Sequence, residues 1–330
     1  MEYYDIRKRA DKLRAVNIII GGRGIGKSYS ALSFMLEQTA PFVYMRNTDV
    51  QLKESSTVFG NPFKRLNLDL GIDVRMSAEG KHYLIQDYTG NEPKLIGYGA
   101  ALSTFKNLRS VDLSDVEYCL YEEFIELQPL RFRQFDAFAG FYETVNRNRE
   151  LQGRPPLKCI LLSNSQTMNN DILINYGLTE RIIGMIQRGE RVWSNQDIRI
   201  ELPQSDVSEA KRDTAHYRLI AGTKAAAEAL DNEFAYDSFR NIKVQNLREY
   251  RPLCMVYTDT GYPVNFWQHK GEQKFYACST PDFSVPRYDD YQYPVFLRDC
   301  GLRLREASVR GLIWYESYDI KVNVDNLLKC

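Results

Sequence analysis

Short apolar runs recur along the first two hundred residues, each closed off by charged or turn-forming positions. Residues 16–20 (VNIII), 42–46 (FVYMR), 118–121 (YCLY) and 158–162 (KCILL) are close to continuous. That is the pattern of strands buried on both faces in a parallel sheet. Residues 198–202 (IRIEL) alternate and predict a last strand. Between the runs, a charged helix is predicted over 3–14 and longer ones over 28–38 and 132–149. The stretch 47–70, with Gly60 and Pro62, reads as less regular. Residues 82–86 and 94–98 predict a hairpin around the turn at 88–92. Strands alternating with helices indicate an α/β sheet with helices on both faces.

The texture changes at Pro203. Residues 205–216 are polar and helix-compatible, and Asp231-Asn232 reads as a turn. Beyond them, 253–258, 264–268 and 275–278 are β-rich and separated by Gly261-Tyr262-Pro263 and Lys270-Gly271, which predicts a meander. Helical patterns follow over about 291–317. The expected organisation is therefore a domain over 1–202, a linker subdomain over 203–235 and a small α+β domain over 236–330.

Composition narrows the classes. The 330 residues are 44% hydrophobic and 26% charged, ordinary for a folded protein and unlike a disordered one. Lys+Arg and Asp+Glu both number 43. A net charge of zero excludes a polybasic coat for nucleic acid, but not a few placed cations. The cysteines (Cys119, Cys159, Cys254, Cys278, Cys300, Cys330) have no metal-ligand spacing, so reduced thiols are expected and a zinc site is not. No run approaches the ~18 apolar residues of a membrane span, and the N-terminus lacks a signal-type apolar core. A soluble, cytoplasmic protein without a membrane partner is the expectation.

The strongest chemical signal is Gly21-Gly22-Arg23-Gly24-Ile25-Gly26-Lys27-Ser28. It fits G-x-x-x-x-G-K-[ST] between a predicted strand and a predicted helix, the context that a phosphate-binding loop requires. Glycines let the backbone turn its N–H groups inward as an anion nest, and the helix adds its positive end. Lys27 would neutralise β- and γ-phosphate charge, and Ser28 would ligate Mg²⁺. Glu122-Glu123 close the run at 118–121. There, Glu122 would hold Mg²⁺ through water and Glu123 would orient or deprotonate the attacking water. The same pair taken alone could be a solvated acidic strand end. Two acids, the second poised for water, suggest hydrolysis driving movement rather than a small-molecule kinase. Ser163-Asn164 end the next buried run, either as a γ-phosphate sensor or as a plain strand-end turn. Arg147 and Arg149 (TVNRNRE) are either a basic turn or, in a ring, the source of an arginine finger for a neighbour's ATP. Arg23 and Arg46 are further candidates near the phosphates, Arg46 equally a structural ion-pair partner.

Taken together, GGRGIGKSYS, YEEFI, ETVNRNRE, LLSN, RLIAGT and LDNEF resemble the DNA-encapsidation ATPases of small podophages that replicate by protein priming. Order and spacing match over nearly the whole chain. The resemblance implies an ASCE-type P-loop NTPase domain with a mostly parallel sheet. It also implies a C-terminal RNase H-like domain related to the terminase nuclease but without a working active site. It implies an ATP- and Mg²⁺-dependent motor that drives double-stranded DNA into a procapsid. That motor is a homopentameric ring at the portal vertex, with a packaging RNA in some members. Its place would be the host cytoplasm, transiently on the procapsid, and not the mature virion. By resemblance, Lys27 and Ser28 fall on the P-loop positions, Glu122 on the metal-site acid and Glu123 on the catalytic glutamate. Arg147 falls on the trans finger, Asn164 on the sensor, and Arg46 on an arginine acting near the phosphates. Glu122 departs from the commoner Asp.

A two-metal nuclease needs converging carboxylates. Asp259, Asp282, Asp289 and Asp290 are available, but they lie in loop-like sequence and read as solvated acids. For DNA contact, Lys53, Lys64, Arg65 and Lys106 are candidates, each equally an ordinary surface charge. The rival readings are a terminase with an active nuclease, another ring-forming DNA translocase or helicase, and a nucleotide-gated binding protein with slow hydrolysis.

Overall fold

The computed structural model describes residues 2–328 apart from 81, 109–111, 127–129, 222–225, 227–228, 231–233, 235–240 and 258–262. The chain divides into two compact units, one of residues 1–176 and 182–237, the other of 177–181 and 238–330. The stretch 203–237 thus groups with the first unit.

The first unit is built on a nine-stranded sheet. Its strands are β1 Val16–Ile20, β2 Phe42–Arg46, β3 Val74–Glu79, β4 His82–Asp87, β5 Lys94–Ala101, β6 Tyr118–Glu122, β7 Lys158–Ser163, β8 Val192–Ser194 and β9 Ile198–Glu201. They lie in the order β3-β4-β5-β2-β6-β7-β1-β9-β8. The six strands from β5 to β9 in that order are mutually parallel. The continuous apolar runs became its centre because both faces are covered. The expected hairpin exists as β4 and β5, and it extends this sheet by antiparallel pairing at one edge. β3 and β8, neither of them predicted, add antiparallel edge strands.

Helix α1, Lys27–Leu36, packs Ala31, Leu32, Phe34 and Met35 into a core with Ile19, Phe42, Tyr44, Leu120, Ile160 and Leu162. Each fully buried side chain of this kind contributes about 1.5–3 kcal/mol of transfer free energy. The expected charged N-terminal helix is a 3₁₀ segment, Ile6–Lys12. The supposedly irregular stretch 47–70 holds two short helices, α2 Asp49–Ser55 and α3 Lys64–Leu70. Thr48 and Gln51 exchange reciprocal bonds as a capping box for α2, a local signal that starts a helix even where periodicity is weak. Further along come α4 Gln134–Asn146, α5 Asp171–Asn175, α6 Thr179–Arg188, of which 179–181 belong to the second unit, and α7 Asp206–Arg212.

The second unit has a five-stranded sheet: β10 Tyr250–Tyr257, β11 Pro263–His269, β12 Phe275–Cys278, β13 Arg287–Tyr288 and β14 Ile313–Tyr315, in the order β13-β10-β11-β12-β14. The predicted meander is β10-β11-β12, antiparallel throughout. Phe266, Phe296, Leu304, Ile313 and Val324 meet in its core. The expected helical run over 291–317 is corrected. Its helix ends at Val309, Gly311 takes a left-handed φ of 70°, and Ile313–Tyr315 pair in parallel with β12. A β-branched and aromatic triplet prefers the ladder once a glycine has broken the helix. A helix at Tyr318–Leu328, also unpredicted, follows. Among the described residues no helix is long and apolar enough to cross a membrane.

Candidate active site

The strands β2, β6, β7 and β1 are adjacent and parallel, so their carboxyl ends open on the same edge, where an α/β sheet places its ligand crevice. A cleft of about 750 Å³ lies there. Arg23, Gly24, Gly26, Lys27, Ser28, Glu122, Glu123, Ser163 and Asn164 all line it. The loop after β1, the acidic pair after β6 and the polar pair after β7 are therefore brought together.

The loop has the shape its sequence predicts. Gly24 and Gly26 adopt φ values of 69° and 99°, which any Cβ would resist. Lys27, only 7% exposed, donates to the carbonyl oxygens of Gly21 and Gly22, both at 2.7 Å, and to Asn164 Oδ1 at 3.2 Å. Gly21 N donates to Ser163 O at 3.2 Å. The loop and the end of β7 are thus stitched together directly. Ser28 is exposed in the first turn of α1.

The two carboxylates differ sharply. Glu122 is 7% exposed and accepts from the Tyr44 hydroxyl at 2.7 Å. Burial first, then the Glu122 charge, pushes the Tyr44 phenol well above its ordinary pKa, so it stays a donor. Glu123 is exposed and its Oε2 accepts from Arg46 Nη2 at 2.5 Å, while Arg46 Nη1 stands 4.0 Å from Glu122. Arg46 therefore bridges both acids, and among the described residues its buried Nε has no hydrogen-bond partner. The backbone of Glu123 takes φ 51°, a left-handed conformation that costs a non-glycine residue of order 1 kcal/mol or more unless its surroundings hold it.

A buried amide cluster holds it. Asn47, fully buried after β2, donates to Glu123 O at 2.8 Å and to Glu126 Oε1 at 3.1 Å. Its Oδ1 accepts from Tyr121 Oη and from Gln134 Nε2, the latter at 2.9 Å. Gln134, at the start of α4, also donates to Phe124 O at 2.6 Å and accepts from Asn170 Nδ2 at 2.8 Å. Asn170 in turn caps α5 through the amides of Ile172 and Leu173. Sequence reading missed Asn47, Tyr121, Gln134 and Asn170. The available signal was a polar residue on the border of an apolar run or at a helix start, too common to single out alone.

The arginines separate. Arg149 is 3% exposed and donates to Ser114 O at 2.9 Å and to Val116 O. That is a structural role and removes it as an alternative finger. Arg147, the C-cap of α4, has φ 46° and a half-exposed side chain near Asp112 at 3.5 Å. It does not line its own chain's cleft. Among the DNA candidates, Lys53 and Lys64 are exposed. Arg65 pairs with Asp69 at 3.0 Å, and both line the cleft. Lys106 falls in the 3₁₀ segment Leu102–Leu108. Asp259 lies outside the described residues.

Comparison with known proteins adds identity to this geometry. The family model of the Podovirus DNA encapsidation protein (Gp16) matches residues 1–283. The chain is 26% identical over 291 residues to the DNA packaging protein of Bacillus phage phi29, covering 86% of this chain and 80% of that protein. It is 28% identical over 280 residues to its counterpart in Bacillus phage B103, covering 82% and 80%. Its fold is similar to that of a chain in the bacteriophage Phi-29 viral genome packaging motor assembly (TM-score 0.66, 21% identity, 100% of this chain and 99% of that one). It is likewise similar to the Phi-28 gp11 DNA packaging motor (TM-score 0.60, 17% identity, 99% and 98%). With the glycine-rich loop, the paired acids and Asn164 on one sheet edge, and a family match over most of its length, the chain belongs to the podovirus DNA encapsidation protein (Gp16) family.

Proposed function

We propose that this chain is the ATP-hydrolysing subunit of a motor that drives double-stranded viral DNA into a preformed procapsid. It works as a homopentameric ring at the portal vertex, with Arg147 as a trans-acting finger. The observation that carries the reading is the convergence of Lys27, Ser28, Glu122, Glu123 and Asn164 on one cleft in a chain of the DNA encapsidation family.

The residues present fit ATP and Mg²⁺. The left-handed glycines shape a concave run of amides, and Lys27 sits inside it. Ser28 would hold Mg²⁺ directly and Glu122 through water, with Tyr44 fixing the Glu122 carboxylate. When bound, ATP supplies the phosphoryl group that water attacks, and Mg²⁺ offsets its charge. Glu123 orients that water and takes its proton. Its Oε2 accepts from Arg46 at 2.5 Å, so Oε1 is the oxygen that would take the proton. Lys27 is already bonded to Asn164, which supports Asn164 as the residue that senses the terminal phosphate. Arg147 stands outside its own cleft on an exposed turn, which supports delivery to a neighbour.

In the second unit, β13 lies parallel beside β10, the first strand of the meander. That arrangement supports the RNase H-like reading. The sequence of β10 (YRPLCMVY) has no acid, and Asp282 and Asp289 serve local turns, which supports a unit without nuclease activity. Lys53, Lys64 and Arg65 are exposed candidates for DNA contact, and a packaging RNA is a further partner of the assembled motor. The place of action is the host cytoplasm, at the procapsid.

The test is ATP hydrolysis with double-stranded DNA and procapsids, titrating Arg147→Ala subunits into wild type. A ring with shared sites loses activity more steeply than in proportion to the variant fraction. A linear dilution curve on procapsids rejects the trans finger, and no DNA stimulation there rejects the motor.

A further inference from the structure

The phosphate-binding loop is held from outside by groups that its motif does not contain. Within one peptide plane the carbonyl and the following N–H point in opposite directions. Fixing a loop carbonyl outward therefore aims the next amide inward. Lys27 fixes the carbonyls of Gly21 and Gly22, and Tyr4 N donates to Ile25 O at 2.9 Å. The Arg23 carbonyl, which aims the Gly24 amide, has a different donor: Lys211 Nζ at 2.5 Å, reaching from α7, 188 residues away.

We propose that Lys211 is a positioning residue for the phosphate-binding loop, orienting the Gly24 amide through the Arg23 carbonyl and tying the stretch after Pro203 to nucleotide occupancy. Gly24 supplies an independent observation. The motif requires glycine at positions 21 and 26, not at 24. A Cβ at Gly24, already disfavoured by the φ of 69°, would also lie 2.6 Å from the Lys211 ammonium, so the ammonium stands directly against the loop at this residue. The approach is not confined to one point. A Cβ at Gly22 would meet Ala229 O at 2.5 Å, and one at Gly21 would meet Pro203 Cγ at 3.1 Å. The described polar contacts of Lys211 Nζ include no carboxylate. They are the Arg23 carbonyl and, at 5.9 Å, the face of Tyr217. A partly buried ammonium committed to a carbonyl rather than an acid is placed for the loop, not for a surface ion pair.

The inference rests on the reading of this cleft as an ATP site, and the experiment separates the two. Equilibrium binding of a fluorescent ATP analogue is measured on the full chain for wild type, Lys27→Ala, Lys211→Ala, Lys211→Arg, Gly24→Ala and Gly24→Ala/Lys211→Ala. Lys211→Ala is expected to weaken binding about tenfold, the size of one charge-assisted hydrogen bond. Saturated turnover should stay within about twofold, because Lys211 does not touch the reacting atoms. Lys211→Arg restores most of the loss. Gly24→Ala costs less in the Lys211→Ala background than in wild type, a coupling that two unrelated structural defects would not show. If Lys27→Ala binds as wild type does, the ATP reading itself fails. If Lys27→Ala is impaired while Lys211→Ala binds normally, or if the two substitutions at 24 and 211 add independently, the Lys211 assignment alone is overturned. Lys211→Arg keeps the result interpretable should Lys211→Ala fold poorly, since an arginine that leaves binding weak at wild-type stability also rejects it.

Discussion

The two sheets handle acidic residues in opposite ways. In the first unit, the ends of β1, β2, β6 and β7 are neighbours running in one direction. Whatever follows each strand is delivered to one edge, and Lys27, Arg46, Glu122, Glu123 and Asn164 accordingly interact. In the second unit the meander reverses direction at each turn, so consecutive strand ends lie at opposite edges. Two of its loop acids are used locally: Asp282 accepts from Ser284 N at 2.9 Å and Asp289 from Gln292 N at 3.0 Å. Parallel topology concentrates chemistry from residues distant in sequence, whereas a meander of similar composition disperses it.

The largest expected effect tests that contrast directly. Glu123→Gln should lower ATP turnover by about 10²–10⁴-fold, the usual weight of a general base, with nucleotide binding retained. The double substitution Asp282→Asn/Asp289→Asn should leave DNA-stimulated turnover within about twofold, because both acids only serve turns. Steady-state hydrolysis on the same preparations decides it. A collapse of turnover in the double variant would show that the second unit's acids do converge on a function.

A smaller effect separates two arginines of one turn. Arg149→Ala strips a donor from the buried carbonyl of Val116, while Ser114 O keeps Arg154, and should cost about 1–3 kcal/mol in denaturant melts, the penalty for an unsatisfied buried acceptor. Arg147→Ala removes solvent-exposed contacts to Asp112 and to the Thr144 carbonyl and should cost roughly 0.5 kcal/mol or less. Equal destabilisation by both would mean that Arg147 is structural too, and would remove the reason to assign it to a neighbour.

These residues also mark how far the sequence could be read. The strand, loop and helix around Lys27, the pair Glu122-Glu123 and the end of β7 were legible because each is a local pattern whose position at a strand end fixes its direction. Arg147 and Arg149 were not separable, since TVNRNRE gives both the same surroundings. Only the reversal at Arg147, with φ 46°, sends one outward and the other inward. Asn47 and Gln134 are 87 residues apart, and their bond exists only once β2 and α4 are packed. Lys211 looked like any lysine on a polar helix, because its target is a carbonyl that carries no sequence signal. Ile313–Tyr315 were absorbed into a helical pattern because three residues are too few to declare a period of two.

The smallest effect asks whether the second unit holds any acid under strain. Asp319 sits in the first turn of the helix Tyr318–Leu328. Among the described residues its buried Oδ1 has no hydrogen-bond partner. Burial, then the nearby Glu180, raises its pKa above the ordinary carboxylate value, opposed only by Thr179. An acid whose folded pKa is raised binds its proton more tightly in the folded state. It therefore destabilises the fold above its unfolded pKa of about 3.9, increasingly until the folded pKa is passed, and has no such effect at lower pH. Asp319→Asn keeps the shape and removes the charge, so thermal melts of the full chain should show a gain of roughly 1–2 °C at pH 7 and none near pH 3. The helix N-terminus works against this gain, since its dipole favours a negative charge in the first turn. A lower Tm for Asp319→Asn at pH 7 would mean that the dipole outweighs burial. Asp319 would then be a satisfied helix-start acid, like the turn acids Asp282 and Asp289, rather than an exception to them.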